Sequence, residues 1–279
     1  MKFSILIANY NNGKFFKDCY DSILSQEYEN WETIIIDDRS TDDSVEIIKQ
    51  IIGDDERFKL YENEANYGVG VTKSDLIKRS GGEVCGYVDP DDSIRPKALK
   101  SAVEVLQKQK DVVLTYSRLA KCDEHLNILH EFKAAMQVPN GEKYFFNFPI
   151  QIAPFVAFRK EVYMKTSGIN PELKIAEDQD LYYKMYEVGK VQFINQTDYL
   201  YRAHPGGISQ NHNKQKSYAY YARAIWEAIQ RRNLKEINGI PVPEDYHDPQ
   251  EIFKLLEYQN KIPFRIKKQI KLRIQKIFK

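Results

Sequence analysis

The 279-residue chain is 42% hydrophobic and 29% charged, a composition that supports a buried core and excludes intrinsic disorder. Its three cysteines, Cys19, Cys85 and Cys122, are odd in number and lack paired metal-ligand spacing, so they are expected as reduced, buried thiols without a disulfide. The net charge is +1, but residues 261–279 carry eight Lys or Arg and no acid, leaving −7 on the rest, a distribution that argues against a general nucleic-acid-binding surface.

Residues 3–8 form an apolar run that empties into the turn-prone residues 9–13, the pattern of a buried parallel strand. Across residues 14–26, Phe15, Cys19 and Ile23 recur at helical spacing, with Phe16, Tyr20 and Leu24 widening the stripe. Further strands are predicted over 33–36, 58–61, 83–88 and 112–116, with helices over 45–52, 72–79 and 96–108 between them. Such alternation predicts an α/β fold with a mostly parallel, doubly wound sheet whose ligands sit beyond the carboxyl ends of the strands. Past residue 116 the regularity fades. Residues 140–154, rich in Gly, Pro, Asn and Phe, are expected as loops and short strands, 177–188 as a helix, 191–194 as a strand and 216–231 as a long helix.

The acidic clusters fall at the strand ends. Asp89, Asp91 and Asp92 follow the 83–88 run, and a D-x-D-D there offers hard oxygens to Mg2+ or Mn2+, which bind one or two carboxylates and complete their shell with substrate phosphates. A solvated Asx-Pro turn fits the same four residues. Asp37-Asp38 ends an earlier strand and suits either a pyrimidine or ribose contact or a helix N-cap. Glu177, Asp178 and Asp180 open a helix, where an acid gains from the dipole or serves as a general base. His204 fits a turn, or a metal or phosphate contact. No G-x-G-x-x-G, P-loop or G-x-S-x-G motif is present, which removes the main support for dinucleotide, P-loop and hydrolase readings.

Six segments in order resemble family 2 glycosyltransferases of the GT-A fold, over roughly residues 2–210. They are Ser4-Ile-Leu-Ile-Ala-Asn-Tyr-Asn, Ile36-Asp-Asp-Arg-Ser-Thr-Asp, Asn66-Tyr-Gly-Val, Val88-Asp-Pro-Asp-Asp, Glu177-Asp178, and Tyr201-Arg-Ala-His-Pro-Gly-Gly-Ile-Ser. The resemblance implies that Ala8, Asn9, Tyr10, Asp38, Asn66, Lys73 and Asp89 contact the nucleotide, that Asp91, Asp89 and His204 face a Mn2+ or Mg2+ ion, and that Asp178 is the base. The implied reaction is inverting transfer of one sugar from a UDP-sugar to a glycan or glycolipid hydroxyl. Lys73-Ser74 stands where the family often has Arg-Asn, and the Q-x-x-R-W motif of processive synthases is absent. Residues 1–116 are then the nucleotide-sugar half, 117–215 the acceptor and catalytic half, and 216–279 a C-terminal helical region with a basic tail. The rival readings are a non-catalytic nucleotide-sugar or glycan-binding member and a GT-A nucleotidyltransferase, the latter poorly served by residues 9–14.

No run approaches about eighteen apolar residues and the 3–8 run is too short for a signal peptide, so a cytoplasmic location is expected. In the basic tail, Ile266, Ile270, Ile274 and Ile277 share a helical face. That pattern suits docking on the anionic inner face of a membrane, a solvated tail, or a helix packed on the body.

Overall fold

The computed structural model describes residues 1–207 and 214–277, so Ile208 and Ser209 of the last motif lie outside the described residues. The first half alternates as its periodicities require: β1 (Phe3–Asn9), α1 (Phe16–Leu24), β2 (Trp31–Asp37), α2 (Ser44–Ile52), β3 (Phe58–Glu62), α3 (Val69–Arg79), β4 (Val84–Tyr87), β5 (Ser93–Ile94) and α4 (Ala98–Lys108). There follow β6 (Val112–Cys122), β7 (Ile128–Glu131), β8 (Val156–Arg159), α5 (Lys160–Tyr163), α6 (Glu177–Val188) and β9 (Lys190–Arg202). The C-terminal region holds α7 (Lys214–Arg231), the small hairpin β10 (Glu236–Ile237) and β11 (Ile240–Pro241), α8 (Pro249–Leu256) and α9 (Ile262–Ile277).

Nine strands make one sheet in the order β3-β2-β1-β4-β8-β6-β9-β5, with β7 beside β6. Pairing is parallel from β3 through β4 and again between β6 and β9, and antiparallel around β8, β5 and β7. Side chains alternate along β1, so Phe3, Ile5 and Ile7 join Phe16, Ile23, Ile48 and Leu99 from α1, α2 and α4 on one face. Leu6 joins Leu76, Ile77, Leu181 and Met185 from α3 and α6 on the other. Helices therefore cover both faces, as the run-and-stripe pattern predicts. The expected division after residue 116 falls inside β6, and both halves share the sheet.

Three differences from the predicted elements matter for the site. Residues 140–154 contain no strand; buried Asn147 organises them, accepting from Gln151 N and Ile152 N at 2.8 Å and donating to Ile152 O at 2.9 Å. An Asn amide here substitutes for a ladder partner. β5 is only two residues long, too short for a period to register. β9 runs 13 residues, continuing past the apolar 191–194 core because β6 pairs with it as far as Cys122 and Arg202.

A third core joins Ala222, Ile225 and Ile229 of α7 to Ile252, Phe253 and Leu256 of α8 and to Tyr183 of α6. α8 starts where Asp248 caps Gln250 N at 2.9 Å with Pro249 in the first turn. The three cysteines are buried and free, as expected. Among the described residues no helix is long and apolar enough to cross a membrane.

Candidate active site

β1, β2 and β4 end side by side, because their parallel register places Asn9 beside Asp37 and Leu6 beside Tyr87. Asn9 is 1% exposed and donates Nδ2 to Asp37 Oδ2 at 2.7 Å, so its side chain braces the rim, and its Oδ1 has no hydrogen-bond partner. Half-buried Ala8 and exposed Tyr10 flank it. Asp38 accepts from Asn63 Nδ2 at 2.8 Å, Tyr67 N at 3.0 Å and Gly68 N at 2.7 Å. The carboxylate thereby fastens the loop bearing exposed Asn66 to the end of β2, and Gly68 supplies the positive φ of 86° that the turn needs. The N-cap alternative for Asp37-Asp38 fails: α2 begins at Ser44 behind Asp43, and Asp37 instead accepts from Ser40 N and Oγ at 2.8 and 2.6 Å.

Between β4 and β5 the chain turns through Asp89, Pro90, Asp91 and Asp92, closed by Asp92 N to Asp89 O at 3.0 Å. The antiparallel pairing of β5 with β9 brings the end of β9 across this turn. Arg202 N donates to Asp92 Oδ1 at 2.7 Å, Arg202 Nε to Asp91 O at 2.6 Å, and the far guanidinium nitrogen reaches Asp18 Oδ2 at 2.7 Å. Two residues on, His204 Nε2 lies 2.7 Å from Asp91 Oδ2, with its ring against Phe15 at 4.6 Å. Burial, then the Asp91 and Asp89 charges, push the Asp92 carboxyl well above its ordinary range. Asp92 is thus a clamp on β9, while Asp91 and His204 face each other as one carboxylate and one imidazole.

On the opposite wall stands Lys73 of α3. Its ammonium is 2.6 Å from Glu177 Oε1 and 3.8 Å from Asp89 Oδ1, and it joins the first turn of α6 to the end of β4. Burial opposes its charge, but Glu177, Asp89 and Asp178 outweigh that and hold its pKa well above the usual lysine value. Asp178 accepts from Gln179 N at 2.8 Å and from Gln179 Nε2 at 3.3 Å, and among the described residues no ion pair engages it directly. Burial, then the Glu177 charge, raise its pKa to about 6, against the lowering effect of Lys73. Asp180 is different: fully buried, it holds Lys184 at 2.7 Å, Arg231 at 3.3 Å and Asn170 N at 2.8 Å, a structural duty that leaves no oxygen for chemistry.

Among the described residues no group of three or more His, Cys, Asp or Glu side chains converges in metal-ligand geometry. Asp89 is turned toward Lys73, which leaves Asp91 and His204 as the paired donors. One carboxylate and one imidazole fit a Mn2+ or Mg2+ ion that takes its remaining ligands from diphosphate and water. Sequence reasoning missed the site roles of Asp18 and Phe15, the positioning role of Arg202, and Tyr199, whose hydroxyl accepts from Asp89 N at 3.1 Å. Only Arg202 carried a local signal, two residues before His204 in the last motif.

The profile of glycosyl transferase family 2 matches residues 4–166. Glycosyltransferase GlyG of Streptococcus pneumoniae is 29% identical over 74% of this chain and 72% of its own length. A chondroitin synthase of Pasteurella multocida is 24% identical over 96% of this chain but only 27% of that enzyme. Among solved structures, residues 1–349 of S. aureus TarS superpose with a TM-score of 0.64 at 19% identity, over 92% of this chain and 69% of that one. TarS has been solved with UDP and with UDP-GlcNAc. The mannosyltransferase PcManGT of Pyrobaculum calidifontis, solved with GDP-Man and Mn2+, gives 0.60 at 12% identity over 97% of this chain and 84% of its own. The sheet is that of the GT-A fold, and the chain belongs to glycosyl transferase family 2, a glycosyltransferase.

Proposed function

We propose that this enzyme transfers a single sugar, with inversion, from a UDP-sugar to a hydroxyl of a glycan or glycolipid acceptor. The observation that supports this reading most is the Lys73 bridge, which ties the first turn of α6, with Asp178, to the end of β4 that carries Asp89 and Asp91. A base and a diphosphate-binding rim on one crevice are what a direct displacement needs. The Asp178 carboxylate takes the proton of the acceptor hydroxyl, whose oxygen forms a bond to the anomeric carbon. The bond from that carbon to the diphosphate breaks, and its electron pair leaves with UDP. A pKa of about 6 leaves Asp178 ionised at neutral pH yet more basic than an ordinary carboxylate.

Asp91 and His204 would hold the divalent cation, which when bound supplies positive charge to the departing diphosphate. Asp38 and its loop with Asn66, together with Ala8, Asn9 and Tyr10, form the rim against which the base and ribose would lie. UDP is preferred as carrier because TarS has been solved with UDP and with UDP-GlcNAc, while PcManGT, solved with GDP-Man, makes GDP-mannose the competing donor.

A thermal-shift panel of UDP-GlcNAc, UDP-glucose, UDP-glucuronate and GDP-mannose, each with Mn2+ and with chelator, tests the donor. A UDP-sugar at 100 times its Kd should stabilise the fold by about 2.7 kcal/mol. Stabilisation by GDP-mannose alone would overturn the carrier assignment. Calorimetry on Asp91→Asn should find metal-dependent binding abolished, and tight binding in chelator would remove the metal assignment.

A further inference from the structure

Helix α9 is built inside out. A surface helix ordinarily buries its apolar stripe and turns its charges to water. Here the half-buried residues are Phe264, Lys268, Leu272 and Gln275, on the face toward the body. Phe264 packs edge-on to Tyr258 at 5.1 Å, Lys268 donates to Gln151 Oε1 beneath the ring of Phe145, and Lys271 pairs with Glu142. Gln275 Nε2 donates to Asn140 O at 3.2 Å. Burial lowers the Lys268 pKa to about 8, as befits an ammonium facing inward. The outward face carries Ile262, Ile266, Ile270 and Ile274, which are 70%, 55%, 53% and 49% exposed.

We infer that this outward isoleucine face, with the exposed cations Arg265, Lys267 and Arg273 around it, is a docking surface for an anionic lipid bilayer. The occupant follows from charge as well as apolarity. At about 3.6 residues per turn, Arg273 falls within the stripe and Arg265 and Lys267 beside its edges. Long stems of this kind lie along an apolar surface while their heads reach phosphate. No acid lies anywhere in residues 261–279, and the remainder of the chain carries −7, so an anionic surface attracts this helix and repels the body. A second copy fits less well, since two such stripes face to face would crowd like charges with no carboxylate on either helix. The body cannot cover the stripe either, because α9 already rests on it by the opposite face.

Docking at α9 also touches the site. The helix sits on the 140–151 segment through Asn140, Glu142 and Gln151, and Asn147 of that segment donates Nδ2 to Gln179 Oε1 at 2.8 Å, next to Asp178.

The test is co-sedimentation of the full chain with vesicles of phosphatidylcholine alone or with about 30% phosphatidylglycerol, at low and high salt, independent of any donor or acceptor. The wild type should bind the anionic vesicles and not the neutral ones, and release with salt. Arg265→Glu and Lys267→Glu should each lower partitioning by about fivefold or more. Ile266→Asp with Ile270→Asp should lower it by about tenfold or more while leaving the unfolding temperature unchanged, since both side chains face water. Failure of the wild type to bind anionic vesicles at low salt, or equal binding of the isoleucine variant, overturns the inference. So does a concentration-dependent dimer in sedimentation that the isoleucine variant abolishes, which would assign the stripe to a second copy.

Discussion

Removing the Lys73 ammonium tests the bridge across the crevice directly. Lys73 is 8% exposed and Glu177 6%, with 2.6 Å between Nζ and Oε1, so the pair is desolvated and not a surface contact. Its raised pKa means that the stabilisation is fully present below the ordinary lysine value and would be lost only above it, so neutral pH never titrates the bridge and mutation must break it. Lys73→Met leaves Asp89, Glu177 and Asp178 without their shared cation, and breaking a buried pair by removing one partner costs roughly 3–5 kcal/mol. At about 2–4 °C per kcal/mol, the unfolding temperature should fall by roughly 6–20 °C. Glu177→Gln should cost less, because Asp89 remains 3.8 Å from the ammonium as a counter-charge. The double variant should recover much of the loss, since a neutral pair needs no compensation. Urea unfolding of the four proteins provides the cycle. A Lys73→Met loss below about 1 kcal/mol, the size of a screened surface pair, would refute the reasoning.

Asp178→Asn should cut turnover by about a hundredfold or more with donor affinity unchanged, measured by single-turnover kinetics and calorimetry. Asp180→Asn should instead lower stability by roughly 3–5 kcal/mol, because it leaves the buried Lys184 ammonium without its counter-charge, and denaturant melts separate the two effects. Because the Asp178 pKa is raised to about 6, the basic form is lost as pH falls through that value, so turnover should decline on the acid side with an apparent pKa near 6. Gly13→Ala should destabilise by about 1–3 kcal/mol in urea titrations, since its Cβ would sit 2.4 Å from Ser44 Cα at the start of α2.

The parts of the fold legible in the sequence are those whose signal is local. Residues 3–8, 33–36 and 83–88 each read as a strand because an apolar run stops abruptly at Asn or Asp, and the same stop marks the rim of the crevice. The 177–188 helix was legible for the same reason, as a stretch whose period and acidic start agree. Long-range pairings had no such signature. Glu177 and Lys73 are 104 residues apart in the chain, and His204 and Asp91 are 113 apart, so nothing near either residue announces its partner. β5 was illegible because two residues carry no period, yet it is the pairing of β5 with β9 that delivers Arg202 and His204 to the D-x-D-D turn.

Helix α9 exposes a further limit of pattern reading. Periodicity located the isoleucine stripe, but the habit of placing an apolar face inward would have docked the helix the wrong way round. The opposite orientation holds because the 140–151 segment offers polar groups beside its rings: Asn140, Glu142 and Gln151 each meet a polar or charged residue of α9. A segment lacking strands has carboxylates and amides to pair, and the helix face that pairs them is Lys268, Lys271 and Gln275. The irregularity of residues 140–154 and the outward isoleucines are therefore one fact seen twice. The loop that takes the helix by its polar face also braces Gln179 through Asn147, so the same irregular stretch serves the catalytic helix on one side and frees an apolar face on the other.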